Sequence, residues 1–143
     1  MDNIIFKRTW RDDNFYEVEV TAGNKKIICT TNFYTNDDRI LDLSKGLESI
    51  SINEQPDFYW ENIESVNGPV NFSIKVRPKD KLGHIFIEIY MLIKDELDDG
   101  QHNCCFYVNA EIGILNTFGR NIKKLMELSG LPDDEPISLF PDQ

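Results

Sequence analysis

The chain has 143 residues, 41% of them hydrophobic, and 25 Asp and Glu against 15 Lys and Arg give a formal net charge of -10. That length suits one core burying on the order of two thirds of the unfolded surface. The charge argues against sequence-independent binding of nucleic acid, which needs a basic surface, and favours a basic protein partner whose encounter an acidic field speeds.

The opening MDNIIFKRTWRDD carries only Ile4, Ile5 and Phe6 before charges return, too short for a signal-peptide core. No later segment reaches the roughly 20 apolar residues of a membrane helix, so a cytoplasmic protein without membrane contact is expected. Runs 4–10, 16–22 and 26–34 alternate apolar and polar residues around the turns RDDN and AGNK, which predicts a three-stranded antiparallel meander. With Trp10 opposite Tyr16, Phe6 meets Val20 and Lys7 meets Glu19. With Ala22 opposite Lys25, Val20 meets Ile27 and Val18 meets Cys29.

Ile40, Leu41, Leu43 and Leu47, with Asp37 and Asp38 in the first turn, predict a short helix ending near Gly46 or Ser49. The stretch NEQPDFYWENIES reads as less regular: Pro56 breaks any helix, and alternation through Phe58, Tyr59 and Trp60 would bury two rings and expose Tyr59. Runs 70–76 and 82–93 around RPKDK, then 101–110, predict a second meander. Leu115, Phe118, Ile122, Leu125 and Met126 recur at helical spacing, with Lys123 and Lys124 toward the C-terminus and Gly130 and Pro132 as the stop. The expected organisation is an α+β fold over residues 1–132, two antiparallel three-stranded meanders as a single sheet or sandwich with two helices packed on them. Residues 133–143 form an acidic tail; its Leu139 and Phe140 leave fraying and docking both open.

The stretch IKDELDDGQHNCC gathers four carboxylates, a histidine and two cysteines. As a calcium loop begun at Asp95 it fails, with Leu97 at the third ligand position and Phe106 at the twelfth. As a hairpin turn it succeeds: with Lys94 opposite Gln101, Ile85, Ile87, Ile89 and Met91 face Ala110, Val108, Phe106 and Cys104. The same register puts His102 near Ile93 and His84 near Glu111, roughly 30 Å apart at the strand rise, so no zinc ion joins them. Cys104 falls on the apolar side and Cys105 on the other. Three cysteines without metal spacing are expected as reduced thiols, not a disulfide framework. Neither histidine sits beside a nucleophile signature, and Asp98 and Asp99 lie on a solvated turn that would not raise a carboxyl pKa. No catalytic, metal-binding or cofactor role is assigned to any residue.

Phe86, Glu88, Tyr90 and Leu92 share the other face of the second meander with Cys105 and Tyr107. Two readings stand: a helix covers them as half-buried core, or they form an interface with an aromatic centre and an acidic rim. Acids also recur in the predicted loops at Asp12 and Asp13, Asp37 and Asp38, Asp95 to Asp99, and Asp133 to Glu135.

The pattern from GPVNFSIKVRPKDKLGHIFIEIYMLI through CCFYVNAEIGILNTFGRNIKKL combines a G-H-I-F-I-E-I strand, an F-Y-V strand and an L-x-x-F-G-x-x-I-x-x-L helix containing Phe118 and Gly119. Over the C-terminal half it resembles the WapI-type immunity proteins associated with polymorphic and contact-dependent growth inhibition toxins. The resemblance implies a stoichiometric cytoplasmic inhibitor of a cognate toxin domain. Charge and aromatic content then nominate Asp95, Glu96, Asp98 and Asp99 for steering and anchoring, and Glu88, Tyr90, Tyr107 and Tyr59 for contact. The competing expectation is a ligand-binding or scaffold module of a bacterial regulatory system, with a pocket between sheet and helix.

Overall fold

A computed structural model describes residues 2–94, 100–127 and 135–142. In chain order the elements are β1 (Asn3–Arg11), β2 (Tyr16–Gly23), β3 (Ile28–Thr35), α1 (Asp37–Ser49), β4 (Phe58–Ile63), β5 (Val70–Pro78), β6 (His84–Lys94), β7 (Gln101–Glu111), α2 (Ile112–Ile122), a 3-10 turn at Lys123–Met126, and β8 (Ile137–Ser138). The described strands form two four-stranded antiparallel sheets, ordered β3-β2-β1-β8 and β4-β5-β6-β7.

The α+β class agrees with expectation, but the three-stranded meanders are corrected twice. Phe58–Ile63 is a strand, not an irregular segment, and pairs Trp60 with Ile74 and Phe58 with Val76. Three adjacent aromatics suit a pleated surface, and Pro56 lies outside the ladder. The other addition is β8, where Ser138 and Ile137 pair with Ile5 and Phe6. Leu139 is buried and its N–H donates to the Ile4 carbonyl at 2.9 Å, so this C-terminal segment docks on the first sheet.

In the first sheet Phe6 meets Val20 and Lys7 meets Glu19 as expected, but the register shifts between Arg8 and Trp10, placing Trp10 opposite Glu17. An extra residue in an alternating strand transfers every later side chain of that strand to the other face. The second hairpin also departs from expectation: Ala22 faces Cys29, Val20 faces Thr31 and Val18 faces Phe33. Asn24 causes the longer turn, accepting on Oδ1 from the N–H groups of Lys26 and Ile27 while its own N–H donates to the Ile27 carbonyl. The displacement is even, so the inward parity survives.

The β6–β7 ladder has the expected register throughout, from Lys94 opposite Gln101 to His84 opposite Glu111. Its inward row, Ile85, Ile87, Ile89 and Met91, is buried. Phe6 ties the layers together: its ring centroid lies 5.8 Å from Phe72 on β5 and 5.8 Å from Phe118 on α2, both edge-to-face.

Asn36 caps α1 by accepting the Arg39 N–H at 3.0 Å. Gly46 does not end this helix. The Phe58 ring occupies the place of a side chain there. Gly119 brings α2 against α1: a Cβ on it would stand 2.6 Å from Leu47 Cβ and 2.8 Å from the Glu48 nitrogen. At this crossing Ser44 Oγ donates to the Gly119 carbonyl at 2.7 Å. The Phe-Gly step thus fills the core with one residue and permits helix contact with the next.

Cys29 on β3 and Cys104 on β7, 75 positions apart in sequence, form a disulfide, which corrects the expectation of three reduced thiols. Each lies on the inward side of its own sheet, a proximity that adjacency and spacing along the chain do not reveal. Cys105, one position on, is exposed and free. Among the described residues no helix is long and apolar enough to cross a membrane.

Candidate protein-binding surface

Cross-strand pairing assembles one surface from four strands. Tyr59 lies opposite Lys75, Lys75 opposite Glu88, and Glu88 opposite Tyr107, one row across the second sheet. The next row runs Glu61, Ser73, Tyr90 and Cys105. Strand alternation points both rows away from the core. Tyr59 is 53% exposed and Tyr107 38%, so no described helix covers them. Glu88 and Tyr90 between them are half-buried, and Ser73 and Leu92 are buried, so the face is open at Tyr59 and Tyr107 and closes toward Leu92.

The nominated Tyr59, Glu88, Tyr90 and Tyr107 therefore share one face. Asp95, Glu96, Asp98 and Asp99 lie outside the described residues. Charges of both signs occupy the face, because Lys75, Arg77 and Lys79 accompany Glu61 and Glu88. The Arg77 guanidinium lies 5.6 Å from the Phe86 ring centroid and 5.3 Å from that of Tyr107, and its Nη2 donates to the Tyr107 hydroxyl at 2.7 Å. Lys79 Nζ stands 5.3 Å from the Phe86 centroid. Each cation is held over a π face, limiting the side-chain freedom that binding would otherwise remove.

At the other edge of the face, Tyr59 donates its hydroxyl to Glu61 Oε2 at 2.7 Å. Burial and that carboxylate hold the Tyr59 pKa above the ordinary phenol value. Burial, then the Glu88 carboxylate, push the Cys105 thiol up. A thiol so placed is a poor nucleophile at neutral pH. His84 sits at the end of β6 with Nδ1 2.7 Å from Asp80 Oδ2 and Nε2 3.8 Å from Glu111 Oε1. Asp80 also accepts the Leu82 and His84 N–H groups, and the Leu82 bond is the chief reason its carboxyl lies below the usual range. This is the geometry of a loop cap. Among the described residues no group of three or more His, Cys, Asp or Glu is placed to hold a metal ion.

The edge of this sheet is partly occupied. Asn24 Nδ2 donates to the Tyr107 carbonyl at 2.9 Å, and Asp2 Oδ2 accepts the Asn109 N–H at 2.8 Å. These contacts take up main-chain groups that would otherwise offer strand pairing along β7.

A second cluster was absent from the sequence expectation. Trp10, Phe15 and Tyr34 pack against one another at the end of the first sheet, with centroids 5.5 to 6.2 Å apart and each ring about two fifths exposed. The bulge creates it by carrying Trp10 into the row of Glu17 and Tyr34. A hollow of about 240 Å³ beside it is lined by Asp12, Asp13, Asp37, Asp38, Arg8 and Tyr16, among others. Arg8 is buried and donates from Nη1 to the carbonyls of Leu125 and Glu127. The sequence signals were the aromatics flanking the RDDN turn and the acids opening α1; their convergence depended on the bulge.

No family model matches the chain, and no curated protein matches it either.

Proposed function

We propose that this protein is a non-catalytic immunity protein that binds a cognate basic toxin domain, such as a nuclease, and neutralises it by occluding its active cleft. The observation carrying this reading is the open row of Tyr59, Lys75, Glu88 and Tyr107 across four hydrogen-bonded strands. Exposed tyrosines on a rigid sheet, beside an arginine already ordered by two rings, match the composition of interface hot spots. The net charge of -10 supplies long-range attraction to a basic cleft. The resemblance of the C-terminal half to WapI-type immunity proteins supplies the class of partner, and a cytoplasmic location belongs to the same proposal.

The test is co-expression with the toxin domain encoded beside it, read as growth, together with binding kinetics of the purified pair. Protection by the wild type and its loss with Tyr59→Ala/Tyr107→Ala are expected, with an association rate that falls as salt rises. Amide replacement of Asp95, Glu96, Asp98 and Asp99 should slow association; an unchanged rate would remove that segment from steering. Protection by the Tyr59/Tyr107 double variant equal to wild type would remove the face from the interface.

One observation favours a second reading, a ligand-binding module. A hollow of about 340 Å³ lies between α2 and the C-terminal segment, with Ile114, Phe118, Leu139 and Phe140 in its wall. Its size falls at the low end of small-molecule sites. Saturable thermal stabilisation by an apolar ligand, lost on Leu139→Ala, would support that reading.

A further inference from the structure

We propose that the acidic hollow at the end of the first sheet receives an arginine side chain from a basic protein partner, while the flanking chain of that partner lies along Trp10, Phe15 and Tyr34. This rests on the immunity reading for the kind of partner, and adds a place and a chemistry of contact away from the second sheet's open face.

Two buried hydroxyls mark the place. Tyr16 and Thr35 are register partners on β2 and β3, 6% and 2% exposed; among the described residues the Thr35 hydroxyl has no hydrogen-bond partner, and the Tyr16 hydroxyl has only the neighbouring Asp37 carboxylate, beyond ordinary hydrogen-bond length. Tyr16 lines the acidic hollow, and Thr35 lines an adjoining trough of about 600 Å³ that contains the aromatic trio. Asn14, Phe15 and Asn36 border both. Leaving a buried hydroxyl unpaired costs about 1–3 kcal/mol, so an under-satisfied hydroxyl in each of two adjoining hollows suits polar groups supplied from outside.

The lining selects the chemistry. Four carboxylates, Asp12, Asp13, Asp37 and Asp38, stand against the Arg8 guanidinium, so a phosphate would be repelled and a cation attracted. Asp12 Oδ1 is already committed to the N–H groups of Asn14 and Phe15, which leaves a poor set for a bare metal ion. A guanidinium suits the remainder: its planar fork satisfies carboxylates two at a time and its face lies against aromatic rings. The Tyr16 phenol stays protonated beside Asp37 and offers lone pairs to a guanidinium N–H. The smaller hollow matches a single side chain, and the longer trough accommodates the chain beside it.

The experiment titrates the full-length isotope-labelled protein with a short peptide carrying a central arginine between apolar residues, with its citrulline counterpart and with spermidine, and follows the Trp10 indole and the Asn36 and Asp37 amides by NMR. Saturable shifts with the arginine peptide are expected, with affinity reduced about five-fold or more in Asp37→Asn/Asp38→Asn and in Asp12→Asn/Asp13→Asn, and by a similar factor for the uncharged peptide. Two variant pairs on separate segments guard against misfolding of either. No saturable shift, equal binding of the citrulline peptide, unchanged affinity in both variants, or spermidine binding as tightly would overturn the proposal. If the peptide binds as expected and no toxin is neutralised, the immunity reading fails and the arginine site stands. If a toxin is neutralised equally by both Asp variants, the site fails and that reading stands.

Discussion

Tyr16 and Thr35 face each other across β2 and β3 with buried hydroxyls, that of Thr35 without a hydrogen-bond partner among the described residues and that of Tyr16 with only the Asp37 carboxylate beside it, beyond ordinary hydrogen-bond length. Tyr16→Phe removes such a hydroxyl while retaining the ring, so stability at neutral pH should hold or rise by about 1 kcal/mol. Burial, then Asp37, raise the Tyr16 pKa above the ordinary tyrosine value of 10.0. The folded state therefore keeps a proton that the unfolded state releases. Wild-type stability from this group is full below the unfolded pKa and falls as pH rises above it. Urea midpoints at neutral and strongly alkaline pH should diverge in favour of Tyr16→Phe. A loss exceeding about 1 kcal/mol at neutral pH would show that the hydroxyl is satisfied.

Arg77 organises the open face through Phe86 and Tyr107. Arg77→Ala should cost about 1 kcal/mol, since two exposed cation–π contacts are individually modest. Arg77→Lys should recover less than half, because an ammonium lacks the planar group that stacks. Urea denaturation checks both. Equal stability of all three proteins would show that the stacking contributes no stability.

Two glycines in α2 should respond oppositely to alanine. At Gly119 the added carbon meets the Leu47 Cβ and the Glu48 backbone, so Gly119→Ala should cost about 1–3 kcal/mol as α1 is displaced. At Gly113 nothing lies within 4 Å, and Gly113→Ala should gain up to about 1 kcal/mol from helix propensity. Thermal unfolding of the pair separates helix contact from propensity.

Under oxidising conditions alkylation followed by intact-mass measurement should label Cys105 alone, and all three cysteines after reduction and unfolding. Bridging residues 75 apart should stabilise by about 4 kcal/mol in the chain-entropy account, so Cys29→Ser/Cys104→Ser should lose up to that amount relative to the oxidised wild type. The raised thiol pKa makes Cys105 react more slowly than a free cysteine at neutral pH, and Glu88→Gln should accelerate it by removing the adjacent charge. An unchanged rate would place Glu88 outside its influence.

Legibility tracked the regularity of each element. The β6–β7 register was readable because eleven-residue strands alternate without interruption, and a one-residue slip would expose Ile85, Ile87 and Ile89 together. The helix containing Phe118 was readable from its spacing as far as Ile122, whereas Leu125 and Met126, expected in the same helix, lie in the 3-10 turn that follows it. Trp10 was misplaced because one bulge reverses parity, and the second hairpin because the Asn24 side chain lengthens its turn. β4 and β8 escaped notice because their identity depends on partners distant in sequence, β5 for one and β1 for the other. The site shows the same division. Glu88, Tyr90 and Tyr107 came from the legible ladder, whereas Tyr16 and Thr35 acquire meaning only where two loops and a helix start converge.

The most direct measurement compares the proteins retained from the source organism's lysate by wild-type bait and by Tyr59→Ala/Tyr107→Ala bait, followed by expression of each selectively retained basic domain with and without this protein. The immunity reading predicts one basic domain, held by the wild type and released by the variant, whose lethality the wild type suppresses. Equal retention by both baits, or lethality that the wild type leaves untouched, would contradict it.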